Sequence, residues 1–274
     1  MSVYIIAEIG VNHQGDKDIA WDLAYDAVRS GANAVKMQYW CNEYYRQCKW
    51  RKKLFGKNLK REDFLNIRDM VMSMQNVLRR RIDFFVTAFD NESFDFIDNE
   101  LESDIYKIPS NEYVLKNENL VNRIIKSARA KNKRLFISTG KLTQNDIYQF
   151  NINTIGINTT FFHCVSKYPT QCIDAELSKI HRLLLNESGC KISKARSDIK
   201  VGLSDHSGLI EISVVSVALG VHAIEVHITR DKNDDGPDHK SSLDMNEFCT
   251  MIKMVRNVEK ALNYGGGDIN EKVY

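Results

Sequence analysis

The feature that most constrains this chain is a repeated exchange of period: short β-branched or aromatic runs alternate with longer amphipathic stretches. Eight runs read as strands, over Val3–Ile9, Ala34–Tyr39, Phe84–Thr87, Ile105–Lys107, Arg134–Ser138, Thr159–His163, Lys200–Leu203 and Ala223–Ile228. The longer pattern predicts helices over Asp16–Ser30, Glu62–Arg80, Asn117–Lys131, Asp174–Leu185, Leu209–Leu219 and Met245–Tyr264. Ser30-Gly31 and Leu219-Gly220 each set a glycine just past a helical pattern, where a left-handed residue ends a helix most easily. The strand runs are apolar almost throughout, as in parallel sheets covered on both faces. Eight of them predict an α/β fold, the (β/α)8 TIM barrel. An open doubly wound sheet is the alternative, weakened because no glycine-rich fingerprint follows the first strand.

Length and charge narrow the function classes. At 274 residues the chain suits one barrel, and we expect a single catalytic domain over residues 1–264. A formal charge of +2 argues against nucleic acid or an anionic membrane as the main partner. No run reaches the ~18 apolar residues of a membrane span. The apolar run Val3–Ile9 is broken by Glu8 and lacks the basic start of a secretory signal. Six cysteines, at 41, 48, 164, 172, 190 and 249, form no C-x-x-C pair, so reduced thiols in the cytoplasm are expected. Two stretches break the rhythm. Residues 40–61, rich in Trp, Tyr, Lys and Arg, read as a lid or an oligomer contact rather than a nucleic-acid surface. Residues 265–274 open with three glycines and read as a tail.

Parallel strands in a barrel all end on one face, so polar residues at those ends converge. In chain order they are Glu8, Lys36 with Gln38, Thr87, Lys107 with Ser110, Ser138 with Thr139, His163, Ser204-Asp205-His206, and Glu225 with His227. Ionisable groups set in apolar runs need partners or a ligand, because an unpaired buried charge is costly. Lysines beside hydroxyls suit a phosphate or a carboxylate, and Ser138-Thr139-Gly140 adds backbone N–H groups to such a cradle. His206 and His227 end neighbouring strands. They either share a divalent ion or bond to Asp205 and Glu225, and the pattern alone leaves both readings open. His13, His163, His222 and His239 have weaker claims, with His222 read as structural. All three prolines, Pro109, Pro169 and Pro237, follow strands four, six and eight, where rigid loops suit a pre-organised site.

At these same residues the chain resembles the sialic acid synthase family. The matching motifs are IIAEIGVNHQGD at 5–16, GANAVKMQ at 31–38, YKIPSNE at 106–112, ISTGK at 137–141, FHCVSKYPT at 162–170, GLSDHSG at 202–208, IEVHIT at 224–229 and DGPDHKSSLD at 235–244. The resemblance implies a synthase that condenses phosphoenolpyruvate with an N-acylated amino sugar to a nonulosonic acid, releasing phosphate. It implies Glu8 as acid/base, with Lys36 and Lys107 also in the catalytic set. Lys36, Thr87, Lys107, Ser110, Ser138, Ser166 and Ser204 would hold phosphoenolpyruvate. Gln38, Glu112, Tyr168 and Asp238 would meet the sugar, and His206 with His227 would ligate a divalent metal, usually manganese. Family members often carry a C-terminal antifreeze-like domain that lends an arginine to a partner's site. This chain ends soon after its last predicted helix, so that contribution is expected to be missing, which leaves the usual swapped homo-oligomer open. Lys141 stands where methionine is common. Two other readings are a different aldol-type barrel enzyme, which would need an arginine site for an acceptor phosphate, and a non-catalytic barrel serving as a binding subunit. Intact Glu8, Lys36, Lys107, His206 and His227 speak against the second.

Overall fold

The structure, a computed structural model, describes residues 2–47, 56, 58–185 and 199–262. Eight parallel strands run through it: β1 Tyr4–Gly10, β2 Ala34–Tyr39, β3 Asp83–Ala88, β4 Ile105–Ile108, β5 Arg134–Ser138, β6 Thr159–Cys164, β7 Lys200–Asp205 and β8 Ala223–Thr229. Their order, β3-β2-β1-β8-β7-β6-β5-β4, brings β3 and β4 together at the seam of a nearly closed barrel. The predicted strands match these within a residue or two. A short β9, Leu243–Asp244, pairs with the end of β8.

Helices wrap the outside: α1 Lys17–Ser30, α2 Asn42–Gln47, α3 Arg61–Leu78, α4 Asn91–Asn99, α5 Glu112–Lys116, α6 Glu118–Ala130, α7 Gln144–Asn153, α8 Ser178–Leu185, α9 Ile210–Ala218 and α10 Met245–Ala261. α1 shows why these segments form. Asp16 caps it by accepting from the N–H groups of Asp18 and Ile19, Ala20, Leu23, Ala24, Ala27 and Val28 are buried, and Gly31 ends it at φ 108°. Gly220 takes the same left-handed geometry at φ 85° beyond α9. The helix expected from Asp174 begins later, at Ser178, because Cys172–Asp174 forms a single tighter turn first. α2 lies inside the 40–61 excursion; residues 48–55 and 57 of that excursion, and the glycine-led tail, fall outside the described residues.

Period two divides each strand between two cores. Residues such as Ile5, Val35, Val86, Ile137, Leu203 and Val226 face the helices. Ile6, Ala34, Phe85, Ile105, Phe136, Phe162 and Ala223 fill the barrel's middle, with Tyr4 below them. Edge-on ring contacts join Phe85 to Phe136 at 5.7 Å, and Phe136 tilts against Phe162 at 5.2 Å. The N-terminal mouth is closed by a polar plug. There Asp83 accepts from Arg134 at 2.5 Å, from Arg81 at 3.0 Å and from the Tyr4 hydroxyl.

Candidate active site

The inward residues that follow the apolar middle are the polar strand ends. Counting by twos from Ile6 gives Glu8, from Ala34 gives Lys36 and Gln38, from Phe85 gives Thr87, and from Ile105 gives Lys107. The same count gives Ser138, Cys164, then Ser204 and His206 from Gly202, and Glu225 and His227 from Ala223. Register sets them side by side: Glu8 is level with Lys36 and with His227, and Ser204 with both Cys164 and Glu225.

Four buried charges stand at the centre of this mouth. Lys36 Nζ donates to Glu8 Oε2 at 2.5 Å and lies 3.4 Å from Glu225 Oε1. Lys107 Nζ reaches Glu225 Oε2 at 3.1 Å and sits 4.0 Å above the Phe162 ring. Ser204 Oγ donates to Glu225 Oε1 at 2.9 Å, and Gln38 Nε2 donates to Glu8 Oε1 at 3.0 Å. Two carboxylates and two ammoniums balance, as buried charges must. Burial raises Glu8 above the usual carboxylate range, helped by the nearby Glu225 and opposed by Lys36. Burial also pulls on Glu225 and Lys36, but opposite charges win: Lys107 and Lys36 hold Glu225 well below that range, and Glu225 with Glu8 lifts Lys36. For Lys107 burial wins, and it falls below an ordinary lysine.

Beside this cluster His206 and His227 lie 5.6 Å apart, centre to centre. His206 Nδ1 is 2.8 Å from the Val165 carbonyl, which turns Nε2 toward the Ser204 and Tyr168 hydroxyls at 3.3 and 3.2 Å. The Tyr168 ring stacks on His206 at 4.3 Å. His227 Nδ1 lies 3.8 Å from Asp238 Oδ2 and is buried without a hydrogen-bond partner among the described residues. Burial disfavours the charged form of both rings: His206 is pushed down to about 3, and His227 is lowered as well. Neutral imidazoles lying side by side are donors of the kind that divalent ions take. No group of three or more His, Cys, Asp or Glu forms a ready ligand set among the described residues. The two imidazoles, with His227 Nδ1 buried and unpartnered among the described residues, are the groups that would suit a divalent ion here. Gly10, at φ 56°, makes the crowding possible, since a Cβ there would lie 3.2 Å from Asp238, Glu8 and His227 together.

On the other side is a hydroxyl-lined edge. Ser110 Oγ and Ser166 Oγ are 3.0 Å apart, and the Gly140 N–H points to Cys164 Sγ at 3.2 Å. A Cβ on Gly140 would come within 2.7 Å of Ser166 Oγ. Ser138 is buried at the end of β5, and the buried Thr87 hydroxyl has no partner among the described residues.

The structure thus brings together Glu8, Lys36, Gln38, Thr87, Lys107, Ser110, Ser138, Ser166, Tyr168, Ser204, His206, His227 and Asp238. Glu112, the first residue of α5, is exposed and accepts from Lys116 Nζ at 2.7 Å. Two strand-end residues point the other way. His163 turns outward to the Ala175 carbonyl at 2.9 Å, and Asp205 takes the Ser213 hydroxyl at 3.0 Å and the Ser207 N–H at 2.8 Å. Neither histidine of the mouth therefore leans on Asp205, and Glu225 spends its oxygens on lysines and Ser204. Cys164 is the site residue that the sequence reading missed, and alternation counted forward from Phe162 reaches it; Glu225, expected at a strand end as a possible partner of the two histidines, instead meets the lysines and Ser204.

Comparison with known proteins agrees with this geometry. The NeuB family model matches residues 23–267. The chain belongs to the NeuB family. It is 33% identical over 277 residues to the N,N'-diacetyllegionaminic acid synthase of Campylobacter jejuni, covering 95% of this chain and 78% of that one. It is 32% identical over 275 residues to the mouse N-acetylneuraminate-9-phosphate synthase, covering 94% and 71%. Among solved structures, the N-acetylneuraminic acid synthetase of Leptospira borgpetersenii, in complex with citrate, superposes with a TM-score of 0.81 at 27% identity, covering all of this chain and 88% of that one. No helix among the described residues of this NeuB-family chain is long and apolar enough to cross a membrane.

Proposed function

We propose that this NeuB-family enzyme condenses phosphoenolpyruvate with an N-acylated amino sugar to a nonulosonic acid and phosphate. The observation that carries the reading is the barrel mouth itself. Two lysines, two carboxylates and a rim of hydroxyls adjoin two neutral imidazoles, in a chain whose relatives are synthases of such acids. Lys36, Lys107, Thr87, Ser110, Ser138, Ser166 and Ser204 offer the charge and donors that a phosphate and a carboxylate require. Gln38, Tyr168 and Asp238 border the space left for the sugar.

His206 and His227 are the residues that would hold a divalent metal, manganese in our reading. Bound there, the ion supplies Lewis acidity toward the oxygen of the open-chain sugar aldehyde. The chemistry balances simply. C3 of phosphoenolpyruvate forms a bond to the aldehyde carbon, water adds at C2, and the C2–O bond to phosphate then breaks, leaving a ketone and inorganic phosphate. Glu8, raised by burial and held by Lys36 and Gln38, is placed to accept and return the proton of that water. Lys107 and the Ser110–Ser166 edge neutralise the departing phosphate.

One panel tests the proposal: purified protein, manganese, phosphoenolpyruvate, and N-acetylmannosamine or diamino-dideoxy relatives, with phosphate release followed. Phosphate release that depends on one sugar is expected. Release with none of them, from protein that binds phosphoenolpyruvate, would overturn the reading.

A further inference from the structure

The functional reading gives Glu225 no task, yet it meets three groups of the mouth where Glu8 meets two. One oxygen takes the Ser204 hydroxyl at 2.9 Å and lies 3.4 Å from Lys36 Nζ; the other takes Lys107 Nζ at 3.1 Å. Ser204 is its register neighbour on β7, whereas Lys107 comes from β4, across the barrel. Lys36 has a second carboxylate in Glu8. Lys107 has no other carboxylate within ion-pair distance among the described residues, only the face of Phe162. Glu225 is 5% exposed, so water does little to screen these contacts.

The three groups that Glu225 gathers, Lys36, Lys107 and Ser204, are all ones our functional reading gives to the phosphoenolpyruvate anion. A carboxylate between two ammoniums occupies the electrostatic place that such an anion would take. We propose that Glu225 is a positioning residue, a resident counter-ion that holds Lys36 and Lys107 aimed into the mouth and competes with the incoming substrate anion for them. This assignment rests on the functional reading above. Glu225 touches none of the reacting atoms; it acts through the lysines. Its removal has two opposed effects. The lysines lose a competitor, so a free anion binds them more tightly, and they lose their fixed aim, so turnover slows.

The test is a calorimetric titration of the full chain with inorganic phosphate, and then with phosphoenolpyruvate, for wild type, Glu225→Gln and Glu225→Asp. The aspartate keeps the charge but withdraws it by one methylene, and it decides the matter if the glutamine variant does not fold. The expected result is a Kd for phosphate at least tenfold lower in the folded variants, with KM for phosphoenolpyruvate and kcat falling together. A merely structural lesion would raise KM. Phosphate binding that is unchanged or weaker overturns the assignment, and so does an unchanged kcat. If wild type releases phosphate with no sugar at all, the functional reading fails, while the phosphate titration still judges Glu225.

Discussion

Glu8 and His227 are level in the sheet, yet their surroundings prepare them for different work. Glu8 is fully buried, and its carboxylate is held by an ammonium and an amide. Glu8→Gln keeps the shape and both neighbours but removes the proton acceptor. Turnover should fall by about 10²-fold or more, the usual worth of a positioned acid or base, while bound manganese, counted by metal analysis, stays as in wild type. Near-normal turnover would refute the role. His227→Ala should do the reverse at the first step, abolishing manganese binding in a titration made without substrates; retained tight binding would remove His227 from the ligand set. At this scale the sequence was informative where a polar side chain interrupts an apolar run, as Glu8, Lys36 and Lys107 do. It misled at His163 and Asp205. Each follows an apolar run just as closely, but one step of strand turns a side chain from the mouth to the helices. Phase, not polarity, decides.

Whole strands were legible for a related reason: buried on both faces, they show as nearly unbroken apolar runs. α4 and α7 were not. Asn91–Asn99 is short and acidic, and its helical character lies in a capping box between Asp90 and Ser93 beneath Phe94, Phe96 and Ile97. Gln144–Asn153 buries only Asn151 fully, so it offers little apolar period to read. At the scale of elements, β6 and β7 meet where Phe162 lies level with Gly202. A Cβ on Gly202 would come 2.7 Å from the Phe162 ring and 3.0 Å from the Ala223 carbonyl. Glycine is thus required by the ring that supports Lys107. Gly202→Ala should cost about 1–3 kcal/mol in a denaturant titration, as overpacking does. It should also raise KM for phosphoenolpyruvate by tilting Phe162 and displacing Lys107. Phe162→Leu in the same chain should recover the stability; a double variant no more stable than Gly202→Ala would show that the strain lies elsewhere.

Across the whole molecule, the two mouths of the barrel divide stability from chemistry. Tyr4 and Glu8 are four residues apart on one strand, about 13 Å at the usual rise. Between them lies the aromatic layer of Phe85, Phe136 and Phe162. The lower mouth is tied by Asp83. Burial works to raise this carboxyl, but bonds from Tyr4 and Arg134, with Arg81 beyond them, hold it below its ordinary value. A carboxylate whose folded pKa is depressed contributes stability at pH above its unfolded value, near 3.8. It loses that contribution as pH falls through the lower folded value. Asp83→Asn should therefore cost about 3 kcal/mol at neutral pH, the low end for breaking a buried pair, because Arg134 keeps a quarter of its side chain in solvent. The gap between wild type and variant should narrow steadily as unfolding is measured at lower pH, closing below the folded pKa. Turnover at neutral pH should stay within about twofold, since the aromatic layer separates the plug from the charges that would meet substrate. A variant that loses activity while keeping its stability would mean that the two mouths communicate, and the division of labour argued from this fold would be wrong.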